Sequence, residues 1–177
     1  MATTKGQTRN NRYHGILSYE EIPPWYQNND FIRHGYRPVT TNVKTCFKSW
    51  AYVHNKTVNI YNHLVPAVLA VVSQSFVYKS FWWFYPQATT RDYVIVAFHL
   101  CTAALCFDLS ACYHTLINHS AHLNGLWSRL DYTSIIILIL GDFVSGIYVG
   151  FYCEPILQNT YWTMVCLKRI FSYEKFD

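Results

Sequence analysis

The chain has 177 residues, of which 51% are hydrophobic, 18% aromatic and only 14% charged. That balance excludes a disordered tail, a secreted disulfide scaffold and a coiled coil. The formal net charge of +4 does not point to nucleic acid, because the charge is gathered at one end. Eight of the 14 Lys and Arg residues precede residue 57, against three acids, Glu20, Glu21 and Asp30. Mean hydropathy of +0.04 therefore averages two unlike parts. They are a polar basic head over residues 1–56 and an apolar body over 57–167, followed by a charged tail over 168–177.

Met1–Gly15 is polar and carries no apolar core of a signal peptide, so the first apolar segment is expected to act as its own insertion signal. From Thr57 to Tyr78, 22 residues pass without a formal charge, and about 20 apolar residues suffice to span a bilayer as a helix. Expected spans cover residues 59–78, 93–117 and 131–153, the last two holding Asp108 and Asp142. The apolar piece over 155–167 stops at Lys168-Arg169. At 1.5 Å per residue it reaches about 20 Å, a stub against a hydrocarbon core of about 30 Å. Phe81-Trp-Trp-Phe-Tyr-Pro86 has the composition of an interfacial aromatic belt. Three such runs leave too little polar surface for a soluble core, so the fold class is all-α, a multi-pass transmembrane bundle. The basic head favours a cytosolic N-terminus. The sequons Asn55-Lys-Thr57 and Asn118-His-Ser120 then face the cytosol and should be bare. The six cysteines form no CxxC pair and read as small buried hydrophobes.

Ionisable groups at membrane depth are costly and are functional candidates by default. Ser110-Ala-Cys-Tyr-His114 lies near the end of the second span, and residues four apart share a helix face. Asp131 opens the third span. The three could converge as a metal site, with His114 the ligand and Asp131 taking a proton from bound water. A hydrogen-bonded interfacial His and a helix-capping Asp explain the same spacing. Asp142 falls mid-span, and the sequence does not decide between a polar cavity and a protonated acid.

The run Ser110-Ala-Cys-Tyr-His-Thr-Leu-Ile-Asn-His-Ser120 resembles the S-x3-H…HS signature of the progestin and adiponectin-type receptors, which include haemolysin III-like proteins. Leu130-Asp-Tyr-Thr-Ser-Ile135 resembles that family's D-Y-x-G-I motif. Gly35-Tyr-Arg-Pro38 and His54-Asn-Lys-Thr-Val-Asn-Ile-Tyr-Asn-His-Leu64 resemble its G-Y-R-P and H-N-E-T-x-N-I-x-x-H-L motifs. Tyr148-Val-Gly-Phe-Tyr-Cys-Glu-Pro155 and Tyr161-Trp162 are similar to the fungal branch.

The resemblance implies a seven-span protein with a cytosolic N-terminus and a zinc ion near the cytosolic face. His114 would be a zinc ligand, Asp131 the carboxylate that orients zinc-bound water, and Ser110 a polar neighbour. It also implies lipid or sterol signalling, ceramidase-like amide hydrolysis, zinc homeostasis, and membrane lipids such as ceramide or sterol as partners. Homo- or hetero-oligomers and residence in the endoplasmic reticulum, plasma or vacuolar membrane belong to the same expectation. The sequence departs from the pattern in five ways. No histidine follows His122, so the H-x3-H that would complete the zinc site is absent; beyond Cys166 the family pattern ends and spans five to seven are missing. Lys56 stands for the Glu of H-N-E-T, Ser134 for the Gly of D-Y-x-G-I, and Asp142 for a small or hydroxyl residue. Two readings follow: the front of a zinc-dependent lipid hydrolase or receptor whose remainder lies elsewhere, or a short, non-catalytic binding or regulatory membrane protein.

Overall fold

A computed structural model describes residues 15–173, with side chains described through residue 165. Strand β1 (Leu17–Ser18) pairs antiparallel with β2 (His34–Tyr36), Leu17 opposite Tyr36 and Ser18 opposite His34. Between them lie two 3-10 turns, Tyr19–Glu21 and Pro24–Tyr26. Helix α1 (Val43–Lys48) starts at Asn42, whose side-chain oxygen accepts from the backbone N–H groups of Lys44 and Thr45, and a 3-10 turn follows at Ser49–Ala51. Four longer helices complete the chain: α2 (Thr57–Phe84), α3 (Thr90–Leu116), α4 (Ala121–Gly150) and α5 (Pro155–Tyr173).

Helices α2, α3 and α4 are long and apolar enough to cross a membrane. They run up and down with short connections, α2 packing on α3 and α3 on α4. The architecture is an all-α, multi-pass bundle. Its outer faces are apolar, as Val68, Leu69, Val72 and Phe76 of α2 illustrate. Its helix contacts use small and hydroxyl residues, with Thr102, Ser110, Ser134 and Gly141 all buried. This is the composition expected where packing rather than hydrophobicity brings helices together.

The boundaries differ from the apolar runs in an instructive way. Helix α4 begins at Ala121, not at residue 131, and takes in the polar stretch that reads as a connection. Ser120 caps it, its Oγ accepting from the Leu123 N–H at 3.3 Å, and the Asn124 amide donates to the Trp25 carbonyl at 3.1 Å. Apolar periodicity marks only the part of a helix that lipid or core surrounds, so polar first turns escape it. Likewise α2 carries on through Phe81–Phe84. Helix α5 continues to Tyr173, past Lys168-Arg169, while residues 174–177 of the expected tail lie outside the described residues.

Residues 15–56 of the basic head form a folded cap. Ile22, Tyr26 and Tyr36 form its core together with Ile117 from the α3–α4 connection, and Trp25 and Tyr113 pack against them. Gly35 sits at φ +93°, a conformation side chains rarely adopt, and a Cβ there would stand 3.3 Å from the Asn55 nitrogen. The Gly35 carbonyl accepts from that same N–H at 2.8 Å. This explains the glycine before Tyr36-Arg37: it lets β2 meet the segment that enters α2.

Candidate functional site

The cap closes over the C-terminal end of α3, where four helical carbonyls have no partner within the helix. Arg37 fills that role. Its Nη2 donates to the His114 carbonyl at 2.7 Å, and its Nη1 to the Thr115 carbonyl at 2.9 Å and the Ser49 Oγ at 2.7 Å. A guanidinium is well matched to the negative end of a helix dipole, and at 1% exposure this one is fully inside the protein. Trp50 Nε1 donates to Thr115 Oγ1 at 3.0 Å, and the Asn118 amide to the Pro38 carbonyl at 2.8 Å.

Directly beneath this seal lie Ser110 and His114 on one side of α3. Ser110 is buried and His114 half-buried. The His114 ring stacks on His63 of α2, with centroids 5.5 Å apart and planes 23° from parallel. The Nδ1 atoms of both imidazoles are buried and without a hydrogen-bond partner. His63 was not singled out by spacing. Its one sequence signal is its place at the end of the His54…His63 motif, and only the α2–α3 contact shows that the ring meets His114.

Asp131 is placed on α4, close enough for its charge to act on Tyr113. Among the described residues no hydrogen bond or ion pair joins Asp131 to His114. Ser134, which stands for glycine in the motif, is fully buried and donates to the Asp131 carbonyl at 2.6 Å, so its hydroxyl is satisfied inside the helix. Asp142 gains a partner from the opposite helix: its Oδ1 lies 3.3 Å from His99 Nδ1, and the Ser145 Oγ lies 3.3 Å from the same nitrogen. The mid-span acid therefore faces α3.

A zinc ion would meet an incomplete set of donors here. The orphaned His114 Nδ1 suits a metal ligand, but no group of three or more His, Cys, Asp or Glu side chains converges among the described residues. Three protein donors are the minimum of a hydrolytic zinc site, so no chemical step follows from these residues alone.

Beside the site, His54 is buried, and its Nδ1 accepts from the Lys56 N–H at 3.1 Å. Burial first, and the Arg37 charge second, push its pKa from 6.5 down to about 4. A histidine that binds its proton more readily when unfolded weakens the fold as acid is added. Cap stability is expected to be level above pH 6.5 and to fall between pH 6.5 and about 4. Proteolysis of the cap across that range should show the fall in wild type and a flatter profile in His54→Gln; equal profiles would remove His54 as the cause.

At the far ends of the helices a second polar cluster is fully paired. Asp92 accepts from Tyr148 at 2.5 Å and from Tyr152 at 3.3 Å. Arg91 donates to Gln158 at 2.9 Å and covers the Tyr148 and Trp162 rings at 5.1 and 5.2 Å. Its role is to tie α3, α4 and α5 together.

The geometry defines a helical membrane unit with a folded cap bonded to the end of α3, above the stacked His63 and His114 rings. The chain belongs to the haemolysin-III related family, whose model matches residues 51–173. It is 37% identical over 158 residues to the progestin and adipoQ receptor-like protein 1 of Caenorhabditis elegans, covering 88% of this chain and 35% of that protein. It is 38% identical over 137 residues to the ADIPOR-like receptor IZH2 of Saccharomyces cerevisiae, covering 77% and 43%. With the human progestin and adipoQ receptor family member 3 it shares 33% identity over 162 residues, covering 89% and 49%. The chain thus spans between a third and a half of the length of these relatives.

Proposed function

We propose that this chain is the cap-bearing part of a receptor-like membrane protein of lipid or sterol signalling, in which His114 contributes one donor to a zinc ion. The observation that carries the proposal is the His114 Nδ1, buried and unpaired beneath the Arg37 seal. Ser110 and Asp131 would be polar neighbours that orient a water or a lipid head, and the remaining zinc donors would come from outside the described residues. Exposed apolar residues on the outer faces of α2 and α3 suit contact with lipid. The relatives named as receptors support the signalling role. The proposed orientation keeps the cap in the cytosol.

A non-catalytic role for the chain by itself is favoured because no group of three or more His, Cys, Asp or Glu side chains converges among the described residues. Zinc titration of the purified chain and of His114→Ala tests the donor: weak binding by wild type, in keeping with one donor of an incomplete set, that the variant loses is expected, and equal binding in both would overturn it. Hydrolysis of a fluorescent ceramide, measured in parallel, separates the two roles. Zinc-dependent turnover that His114→Ala abolishes would contradict the non-catalytic one.

The two sequons give a further expectation. Asn118 is 2% exposed and its amide is bonded to Pro38, so it should stay bare in the folded protein on either side of the membrane. Orientation therefore needs a sequon added before residue 15. We expect that site to remain unglycosylated, and a glycan there would place the cap outside the cytosol.

A further inference from the structure

Asp108 of α3 is an acid at membrane depth that no other side chain compensates. It is exposed, and among the described residues no hydrogen bond or ion pair involves it. Asp142 of α4, by contrast, is met by His99. Helix α3 has 27 residues, about 40 Å against a hydrocarbon core of about 30 Å, so a centred helix overhangs by about 5 Å at each end. Asp108 precedes Leu116, the last residue of α3, by eight residues, or about 12 Å. Its carboxylate therefore lies about 7 Å inside the hydrocarbon on the cap side, where an unpaired charge is costly.

Asp108 lines a hollow of about 470 Å³ between α2 and α3. Ala67 and Ala104, one short side chain from each helix, leave the space, and Val68, Val72 and Leu105 wall it. These three wall residues are exposed, so the hollow opens towards lipid. Every lining residue except Asp108 is apolar. Pockets for small molecules span about 300–1,000 Å³ and combine apolar walls with a few polar groups that fix orientation. Along α2 the hollow runs from Leu64 to Val72, about 12 Å, the scale of a flexible chain lying against the helix. Asp108 and His114, six residues apart, point about 120° apart around α3. The hollow is a site apart from the histidine pair.

We propose that this hollow binds a single-chain amphiphile with a primary ammonium head. The head sits on Asp108, and the tail runs past Leu105 and Val72 towards the bilayer centre. A carboxylate at that depth is complementary to a cation, and an ammonium brings three donors with its charge. A carboxylate head would be repelled, and a hydroxyl head would leave the charge of Asp108 unmet. A metal ion fits poorly, because no group of three metal donors converges among the described residues. The proposal rests on α2 and α3 crossing the membrane and not on the zinc donor.

The test is thermal unfolding of the whole 177-residue chain in phosphatidylcholine nanodiscs, with EDTA present so that zinc plays no part. Hexadecylamine is titrated beside hexadecanol and hexadecanoic acid, which share its tail length. A saturable rise in Tm with the amine alone is expected. It should be lost in Asp108→Asn and reduced in Val68→Trp, whose ring would occupy the hollow from its open side. Asp108→Asn removes an exposed charge from the membrane face, so it should fold at least as well as wild type. A rise with either control equal to that with the amine would overturn the charge pairing, as would an amine response that survives Asp108→Asn. An unchanged response in Val68→Trp would place the ligand outside the hollow and overturn the site. No response to the amine in wild type would leave the hollow to a packed helix, and the proposal would fall. None of these failures touches the zinc titration of His114→Ala, which is made without EDTA.

Discussion

Replacing Arg37 by alanine is expected to release the cap from the helices while leaving the helices formed. The side chain makes three charged hydrogen bonds, two to the last carbonyls of α3 and one to Ser49. Hydrogen bonds to charged groups are each worth about 1.5–3 kcal/mol, and carbonyls left buried without a partner add to the loss. Water can reach part of the vacated helix end, so a net loss of about 3 kcal/mol is the reasonable scale. Arg37→Lys should recover little, because a single ammonium lacks the fork that reaches both carbonyls and the hydroxyl at once. Limited proteolysis of residues 15–56, read beside far-UV circular dichroism, separates the outcomes. Rapid loss of the cap with helicity retained is expected. A cap as resistant as wild type would show that the aromatic core around Tyr26 and Tyr36 holds it unaided.

The second large effect is expected at Gly141, where α4 lies directly against Thr102 of α3. A Cβ at this position would overlap Thr102 Oγ1 and stand 3.0 Å from its Cβ and 3.1 Å from its Cγ2. Thr102 is buried, and its hydroxyl donates to the His99 carbonyl at 2.9 Å. Relief therefore requires the helices to part or the threonine to turn. Overpacking of this kind costs about 1–3 kcal/mol, and Gly141→Leu should cost more than Gly141→Ala. Gly146, on the same helix with open space around it, provides the control: Gly146→Ala should be neutral or mildly stabilising. Thr102→Ala combined with Gly141→Ala should recover part of the loss, since Oγ1 and Cγ2 are removed but the Cβ contact stays. Thermal unfolding of wild type, Thr102→Ala, Gly141→Ala and the double variant in one detergent gives the cycle. Additive losses at Thr102 and Gly141 would mean that this contact does not limit the packing.

The three membrane-crossing helices were legible in the sequence because lipid imposes long apolar runs on whatever crosses it. Residues 121–130 were not, because a polar helix turn beneath the cap obeys no such rule. The cap itself was invisible as a fold, since Tyr26, Tyr36 and Ile117 come together across distant stretches of chain. The signature residues Ser110 and His114 could be placed on one face by helical spacing. Their neighbour His63 could not, because spacing within α3 says nothing about which turn of α2 lies opposite. For the same reason Asp142 remained ambiguous until the register of α3 against α4 set His99 beside it. Lys56 showed as a reversed charge in a motif, but its burial next to Arg37 is a property of packing.

The seal between Arg37 and α3 also sets an order of events during synthesis. Its partners are 77 and 78 residues further along the chain, and the Trp25 carbonyl finds Asn124 across 99. At ribosomal rates of about 5–20 residues per second, that separation is a delay of roughly 4–16 s. Until α3 has been made and placed, residues 15–56 have no floor to rest on. Residues 15–56 therefore emerge before their partners on α3 and α4 and close only after them, and they stay open to chaperones and proteases for the whole of that interval.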